Sequence, residues 1–360
     1  MTRAVLARLI RHPDLFDELV QRDGLDVLLG RAEAEAVGCL LAEARPDVAA
    51  LAALRRRAIL EEAVRHRELR RVFAAFEARG VRALVFKGAA LAYTVYPAPW
   101  CRPRVDLDVL VGLEDRAAAT DALAGLGYRR WSVRMLSDVL FRQDAFHCDA
   151  ALGGEHVVDL HTQIANRVFF ANRVTAARLF DHARPAPFAG TAAWQPSAAD
   201  SLIIASVHRA AHHAGGVPLL WAYDVWLLAR ALQPGADVAG LVDRARAFEV
   251  SSLVARDLAE ARDLFGDLDA VAALDAAGRR DPARPYLAMR RSPLGDLGLD
   301  LAALPRWRDR ARFLRAHVLP PREFMFQQYS TRARWRLPWL YGRRAVAGAA
   351  RWVGAWFERG

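Results

Sequence analysis

The stretch VDLDVLV, residues 105–111, decides how the chain is read. It alternates and is rich in Val and Leu, which marks a β-strand. Side chains alternate across a strand, so Asp106 and Asp108 share one face while Leu107 and Val109 take the other. Two adjacent carboxylates repel each other, which makes little sense as core packing. On a solvated face the pair needs no partner. In a site it forms a ligand set for a hard divalent cation such as magnesium. Two such ions can clamp the attacking and leaving oxygens of a phosphoryl or nucleotidyl transfer. A DxD is short and common, so its weight comes from what surrounds it.

Upstream, VRALVF (81–86) is a short apolar strand, and GAALAYTVY (88–96) is a helix that Pro97 ends. Between them stands Lys87, the only lysine among 51 Lys and Arg residues. A strand, then Lys87-Gly88, then a helix start offers bare backbone N–H groups and a positive helix end to a triphosphate. Lysine adds a compact charge where arginine would be bulkier and forked. Downstream, EDRAAATDALAGLG (114–127) is a helix, and YRRWSVRML, VLFRQDAFHC and HVVDLHTQI are strand candidates. Asp159 lies among apolar residues in HVVDLHTQI. If that strand neighbours VDLDVLV, Asp159 completes a three-carboxylate site as metal ligand or general base. Otherwise it is an edge-strand acid paired with an arginine.

The flanks are helical. LRRRAILEEAVRHRELRRVFAAFEARG (54–80) sets Ile59, Ala63, Leu69, Val72, Phe73 and Phe76 at helical spacing, with Gly80 as a stop. SAADSLIIASVHRAAHHAGG (197–216) opens on a Ser cap and closes at Gly215-Gly216, PLLWAYDVWLLARAL (218–232) is a more apolar helix, and residues 237–275 continue as helices. DLGLDLAALPRWRD (296–309) reads as a loop. The expected division is a helical region over 1–80, a catalytic α/β unit over 81–190, a helical domain over 197–295, and an Arg/Trp-rich tail over 296–360 that packs on the body.

A chain of 360 residues suffices for a sizeable core. Cys39, Cys101 and Cys148 are scattered, odd in number and without CxxC spacing, which disfavours a disulfide framework or a zinc knuckle. No apolar run approaches the roughly 18 residues of a membrane span, and His12-Pro13-Asp14 interrupts the apolar start, so a cytoplasmic protein is expected. Residues 301–360 carry thirteen arginines against three acids, so the whole net charge of +10 lies there and the other 300 residues balance.

LVFKGAALAYTVY, then RPRVDLDVLV, then VVDLH together resemble the nucleotidyltransferase superfamily of the DNA polymerase β type, and within it a bacterial branch of largely uncharacterised members. HRAAHHAGG and LLWAYDVWLL extend the likeness, which covers residues 55 to 230. The resemblance implies an α+β fold, a mixed sheet flanked by helices. It also implies transfer of a nucleoside monophosphate from an NTP, with ATP as the guess, and release of pyrophosphate. On this likeness Asp106 and Asp108 hold Mg²⁺, or Mn²⁺ in its place, and Asp159 completes the site. Gly88 and Ala89 lie against the phosphates, with Lys87 and Arg102 as phosphate contacts. His161, His208, His212 and Asp224 would line the site. Two departures touch the donor: many members have Gly-Ser where this chain has Gly88-Ala89, and Val105 stands where the branch often has a small polar residue. The acceptor is open among a small molecule, a peptide, a protein side chain and an RNA end.

His208 and His212, four apart with His213 alongside, share a helix face. Without HExxH or a third ligand they fit a packed, hydrogen-bonded helix better than zinc. Asp224 in an apolar helix needs a partner if buried, a histidine or arginine. The tail interleaves arginine with Trp307, Trp335, Trp339, Trp352 and Trp356. It is expected to lay its Trp face on the core, the other reading being a nucleic-acid or anionic-membrane surface. Two rival functions remain: an RNA- or tRNA-directed transferase that uses this tail, and a non-catalytic nucleotide-binding module.

Overall fold

The computed structural model describes the chain apart from residues 132–142, 151–152, 214–215, 234, 269–273, 275–277, 289–291 and 358–360. Among the described residues seven strands form one mixed sheet: β1 (Ala83–Val85), β2 (Leu107–Val111), β3 (Arg129–Arg130), β4 (Gln143–Asp149), β5 (Glu155–His161), β6 (Arg184–Pro185) and β7 (Trp194–Gln195). Their order is β3-β4-β5-β2-β1-β7-β6. β2 runs parallel to β5 and antiparallel to β1. Residues 132–136 of YRRWSVRML and 139–142 of VLFRQDAFHC lie outside the described residues. β7 carries the sheet past residue 190, since Trp194 pairs with Leu84.

Strand alternation gives the sheet two different faces. Ala83, Val85, Val109, Val111, Val158 and Leu160 pack under helix α5 (Ala49–Glu77) and helix α7 (Arg116–Gly125), against Leu69, Val72, Phe73, Phe76 and Leu123. The opposite face presents Leu84, Phe86 and Leu110 to a second, larger core. That face also carries Asp108 and Asp159, which pair across β2 and β5.

The larger core joins both ends of the body. Leu6 and Leu9 of α1 (Arg3–Arg11) share it with Ile203 and Val207 of α10 (Ala198–His212), Leu219 of α11 (Leu219–Arg230) and Leu253 of α13 (Ser251–Phe265). Arg3 bridges Glu260 at 3.2 Å and Glu35 at 3.3 Å, and Glu35 accepts the Leu219 N–H at 2.6 Å. The first helices therefore clamp the helices that follow the sheet.

α5 ends as the sequence predicts. Gly80 has φ +67°, and the Val81 N–H reaches back to the Phe76 carbonyl at 3.0 Å, a left-handed glycine cap. Its inward face differs from the predicted one higher up. Ala63 is exposed and Glu62 is buried in its place. Glu62 accepts from Arg104 at 2.7 Å and from the Tyr93 hydroxyl, so a polar cluster replaces apolar packing there.

The stretch 296–309 is not a loop. Helices Pro293–Ala303 and Trp307–Val318 occupy most of it. Ser292 accepts the Gly295 N–H at 3.0 Å and Pro293 opens the first helix, two start signals that outweigh Gly295 and Gly298. This part packs on the body: Phe313 is buried with Val168 and Leu304, and Arg167 pairs with Asp296 and Asp300. The described tryptophan side chains of the tail do not cover the core. Trp307, Trp335 and Trp339 are exposed, because Phe313, Met325 and Leu340 fill the buried positions instead. The side chains of Trp352 and Trp356 lie outside the described residues.

Breaking a buried ion pair on one side strands the other charge. Glu62→Ala is expected to lower unfolding stability by about 3–5 kcal/mol, read by urea denaturation. The double change Glu62→Leu/Arg104→Met should recover most of it.

Candidate active site

Asp108 is the best-held group of the candidate site. It is buried on β2, and its Oδ1 accepts from Lys87 Nζ at 2.6 Å and from His161 Nε2 at 2.9 Å. Burial alone raises a carboxyl pKa, but here Lys87 and the His161 bond outweigh it and hold Asp108 well below the usual range. His161 is buried edge-on to Phe86. Burial and then Lys87 push its pKa down, so the neutral ring gives its one N–H to the nearer acceptor, Asp108.

The parallel pairing sets Asp159 directly opposite Asp108. Gln143 on β4 donates to Asp159 Oδ2, and Asn166 in turn donates to Gln143 Oε1 at 3.4 Å. One ligand atom each from Asp108, Asp159 and His161 falls within 4.8 Å of the others, a grouping that could hold a metal ion. Asp106, one residue before β2, lines the same cavity. Its pKa is pushed up to about 7, first by burial and then by the charges of Asp108 and Asp159, which Lys87 and Arg102 only partly offset.

Lys87 stands at the start of α6 (Lys87–Thr94) with φ +53°, the left-handed region that favours glycine. No side chain caps this helix, so its first backbone N–H groups are open. Gly88 and Lys87 line the cavity, whereas Ala89 is buried behind them. A Cβ on Gly88 would meet Arg102 and Arg104 at 3.5 Å, ordinary contact, so the protein's own packing does not require glycine there.

Arg102 is not free. Its guanidinium forks onto Asp224 of α11, Nε to Oδ1 and Nη2 to Oδ2, both at 2.8 Å. The Tyr96 hydroxyl gives a further bond to Asp224 at 2.5 Å. Asp224 thus has the arginine partner that its burial demanded, and the pair ties the sheet to the helical part.

The cavity over these groups measures about 880 Å³, within the range of small-molecule sites. Part of its wall is His208, His212, His213 and Trp221. His208 stacks on Trp221 with ring centroids 5.4 Å apart, and its Nδ1 is buried with no hydrogen-bond partner among the described residues. All three histidines are pushed down in pKa, by burial first and Lys87 second, so the wall is uncharged at neutral pH. A smaller cavity of about 210 Å³ opens beside Asp106 and Arg104 but holds none of the other carboxylates named here.

The structure thus brings Lys87, Gly88, Arg102, Asp106, Asp108, Asp159, His161, His208, His212 and Asp224 to one cavity. Sequence reading missed Gln143, Asn166, Trp221 and His213 as lining groups. His213 and Trp221 carried a signal, since each lies in a quoted motif beside a chosen residue. Gln143 and Asn166 carried none.

A mixed sheet with clustered carboxylates beside an uncapped helix start is the build of a polymerase-β-type nucleotidyltransferase core. Residues 14–266 match the family described as "Uncharacterised nucleotidyltransferase", and the chain belongs to that family. No curated protein matches the chain. Among the described residues no helix is long and apolar enough to cross a membrane.

The raised Asp106 pKa makes a stability prediction for the metal-free protein. Unfolded, this carboxyl titrates near 3.8, and folded near 7. Between those values the native state keeps a proton that the unfolded state gives up, so stability falls as pH rises and the loss is complete above 7. Asp106→Asn is expected to raise metal-free stability at pH 8 by on the order of 2–4 kcal/mol, and to leave it unchanged at pH 3. Thermal unfolding with a chelator at both pH values checks this.

Proposed function

We propose that the protein is a metal-dependent nucleotidyltransferase that moves a nucleoside monophosphate from an NTP to an acceptor hydroxyl. The observation that supports this most is the charge balance at the cavity floor. Among the described lining residues, Asp106, Asp108 and Asp159 stand against Lys87, while the cavity's arginines go to other acids: Arg102 to Asp224, Arg104 to Glu62 and Arg65 to Glu61. Two negative charges are unmatched when all three acids ionise. A divalent cation fits that deficit, as the raised Asp106 pKa already signals.

Magnesium, or manganese in its place, would be held by Asp106, Asp108 and Asp159, and when bound would neutralise charge on the phosphates. The uncapped start of α6 and the bare backbone of Gly88 would take the triphosphate, with Ala89 buried behind them. Lys87 would contact a phosphate once a cation relieves it of Asp108. Arg102, fixed by Asp224 and bonded through Nη1 to the Pro103 carbonyl at 2.6 Å, would offer its remaining N–H groups to the donor. Asp159, oriented by Gln143, would accept the proton of the attacking hydroxyl. The new bond joins the acceptor oxygen to the α-phosphorus, the α–β bridge bond breaks, and pyrophosphate leaves. The neutral His208–Trp221 part of the cavity wall would seat the acceptor. ATP is the first donor to try, in the cytoplasm, with a small molecule, peptide or protein side chain as acceptor.

A titration of ATP, GTP, CTP and UTP with and without Mg²⁺ tests the reading. Wild type should bind one of them only with the metal, and Asp106→Asn/Asp108→Asn should bind none. Binding that ignores both metal and carboxylates overturns it. Gly88→Ala should fold normally and lose about tenfold or more in NTP affinity. If NTP binds but no acceptor ever yields pyrophosphate, the chain is a nucleotide-binding module.

A further inference from the structure

The C-terminal segment exposes what a globular body would bury. Trp307, Trp335 and Trp339 are 72%, 78% and 62% exposed, and Leu314, Val318, Leu319 and Val346 are exposed with them. On the helix Trp307–Val318 this follows a pattern. Trp307, Ala311, Leu314 and Val318 recur at steps of four, three and four, one stripe of a helix. Phe313 and Ala316 are the buried residues of that helix, so the apolar stripe points away from the body. Arg308, Arg310, Arg312 and Arg315 flank it, all exposed.

The last helix, Leu337–Phe357, repeats the arrangement over its described side chains. It buries Leu340 and exposes Trp339, Arg343 and Val346. Arginines sit over the indoles: Arg336 lies 4.9 Å from the Trp335 ring, Arg343 5.6 Å from Trp339 and Arg308 5.8 Å from Trp307. Cation and indole are thus held at one level. The same sixty residues carry the chain's whole net charge of +10.

We infer that this Arg/Trp segment is a docking surface for an anionic membrane face. Indoles settle at the headgroup level of a bilayer, aliphatic side chains enter just beneath, and arginines meet anionic headgroups. RNA would use the arginines and the ring faces, but phosphodiesters and bases offer nothing to the aliphatic stripe of Leu314, Val318 and Val346. A second copy would bring the same flanking arginines against these, so like charges oppose self-association. The inference does not depend on the reaction proposed above.

Flotation of the full chain with lipid vesicles tests it. In about 0.1 M salt, the protein should float with phosphatidylcholine vesicles containing about 30% phosphatidylglycerol, and should stay behind with phosphatidylcholine alone. Trp307→Ser/Leu314→Ser/Val318→Ser alters only exposed residues and should keep its circular dichroism and melting point. Its vesicle affinity should fall about tenfold or more. If that variant misfolds, Trp335→Ser/Trp339→Ser is read in its place with the same expectation. Absence of binding to the anionic vesicles overturns the inference. So does full binding by the folded variants, which would mean charge alone acts. Tighter binding of a single-stranded RNA, lost in the same variants, would make the surface a nucleic-acid interface and also overturn it.

Discussion

The parallel pairing of β2 with β5 is the constraint on which the site depends. It places Asp108 opposite Asp159 and Leu110 opposite His161. A slip of one residue would turn one strand's acid into the apolar layer under α5 and α7. Val109, Val111, Val158 and Leu160 hold the register by burial on that other face. The hydrophobic effect therefore fixes the electrostatics: apolar residues on one side of the sheet force carboxylates together on the other. Lys87 and His161 compensate Asp108, but burial and the neighbouring carboxylates work against Asp106, and the core carries that cost.

Lys87 shows how the cost is reduced. Its ammonium meets Asp108 at 2.6 Å from a backbone held at positive φ. After burial, it is also the next influence that pushes down His208, His212 and His213. One charge thus partly balances the acids and adds to the burial that keeps these histidines neutral. An arginine in its place would be a forked donor rather than a point charge. That difference gives a physical reason for a single lysine in an arginine-rich chain.

Much of this was legible in the sequence, for identifiable reasons. Asp106 and Asp108 showed through the period of a strand, and the Lys87-Gly88 step through the switch from strand to helix. Asp159 was legible as a candidate, but its position opposite Asp108 depends on a pairing across fifty residues that no local pattern encodes. The Arg102–Asp224 fork spans 122 positions, so only the need for a partner was visible. Burial of Glu62 instead of Ala63 was hidden because Arg104 and Tyr93, distant in sequence, make a polar residue acceptable there. Gly295 and Gly298 masked the helix Pro293–Ala303, whose Ser292 and Pro293 start signal went unread. The tail's tryptophans were expected inward because indoles usually bury area. Phe313, Met325 and Leu340 had already filled those positions.

The central claim is that Asp108 and Asp159 form a cation site before any nucleotide arrives. Water-proton relaxation in a manganese titration of the nucleotide-free protein measures this directly. The account predicts bound Mn²⁺ in wild type, competed by Mg²⁺, and loss of that binding in Asp108→Asn/Asp159→Asn. A wild-type protein that binds no manganese, or a double variant that binds it equally well, would contradict the account.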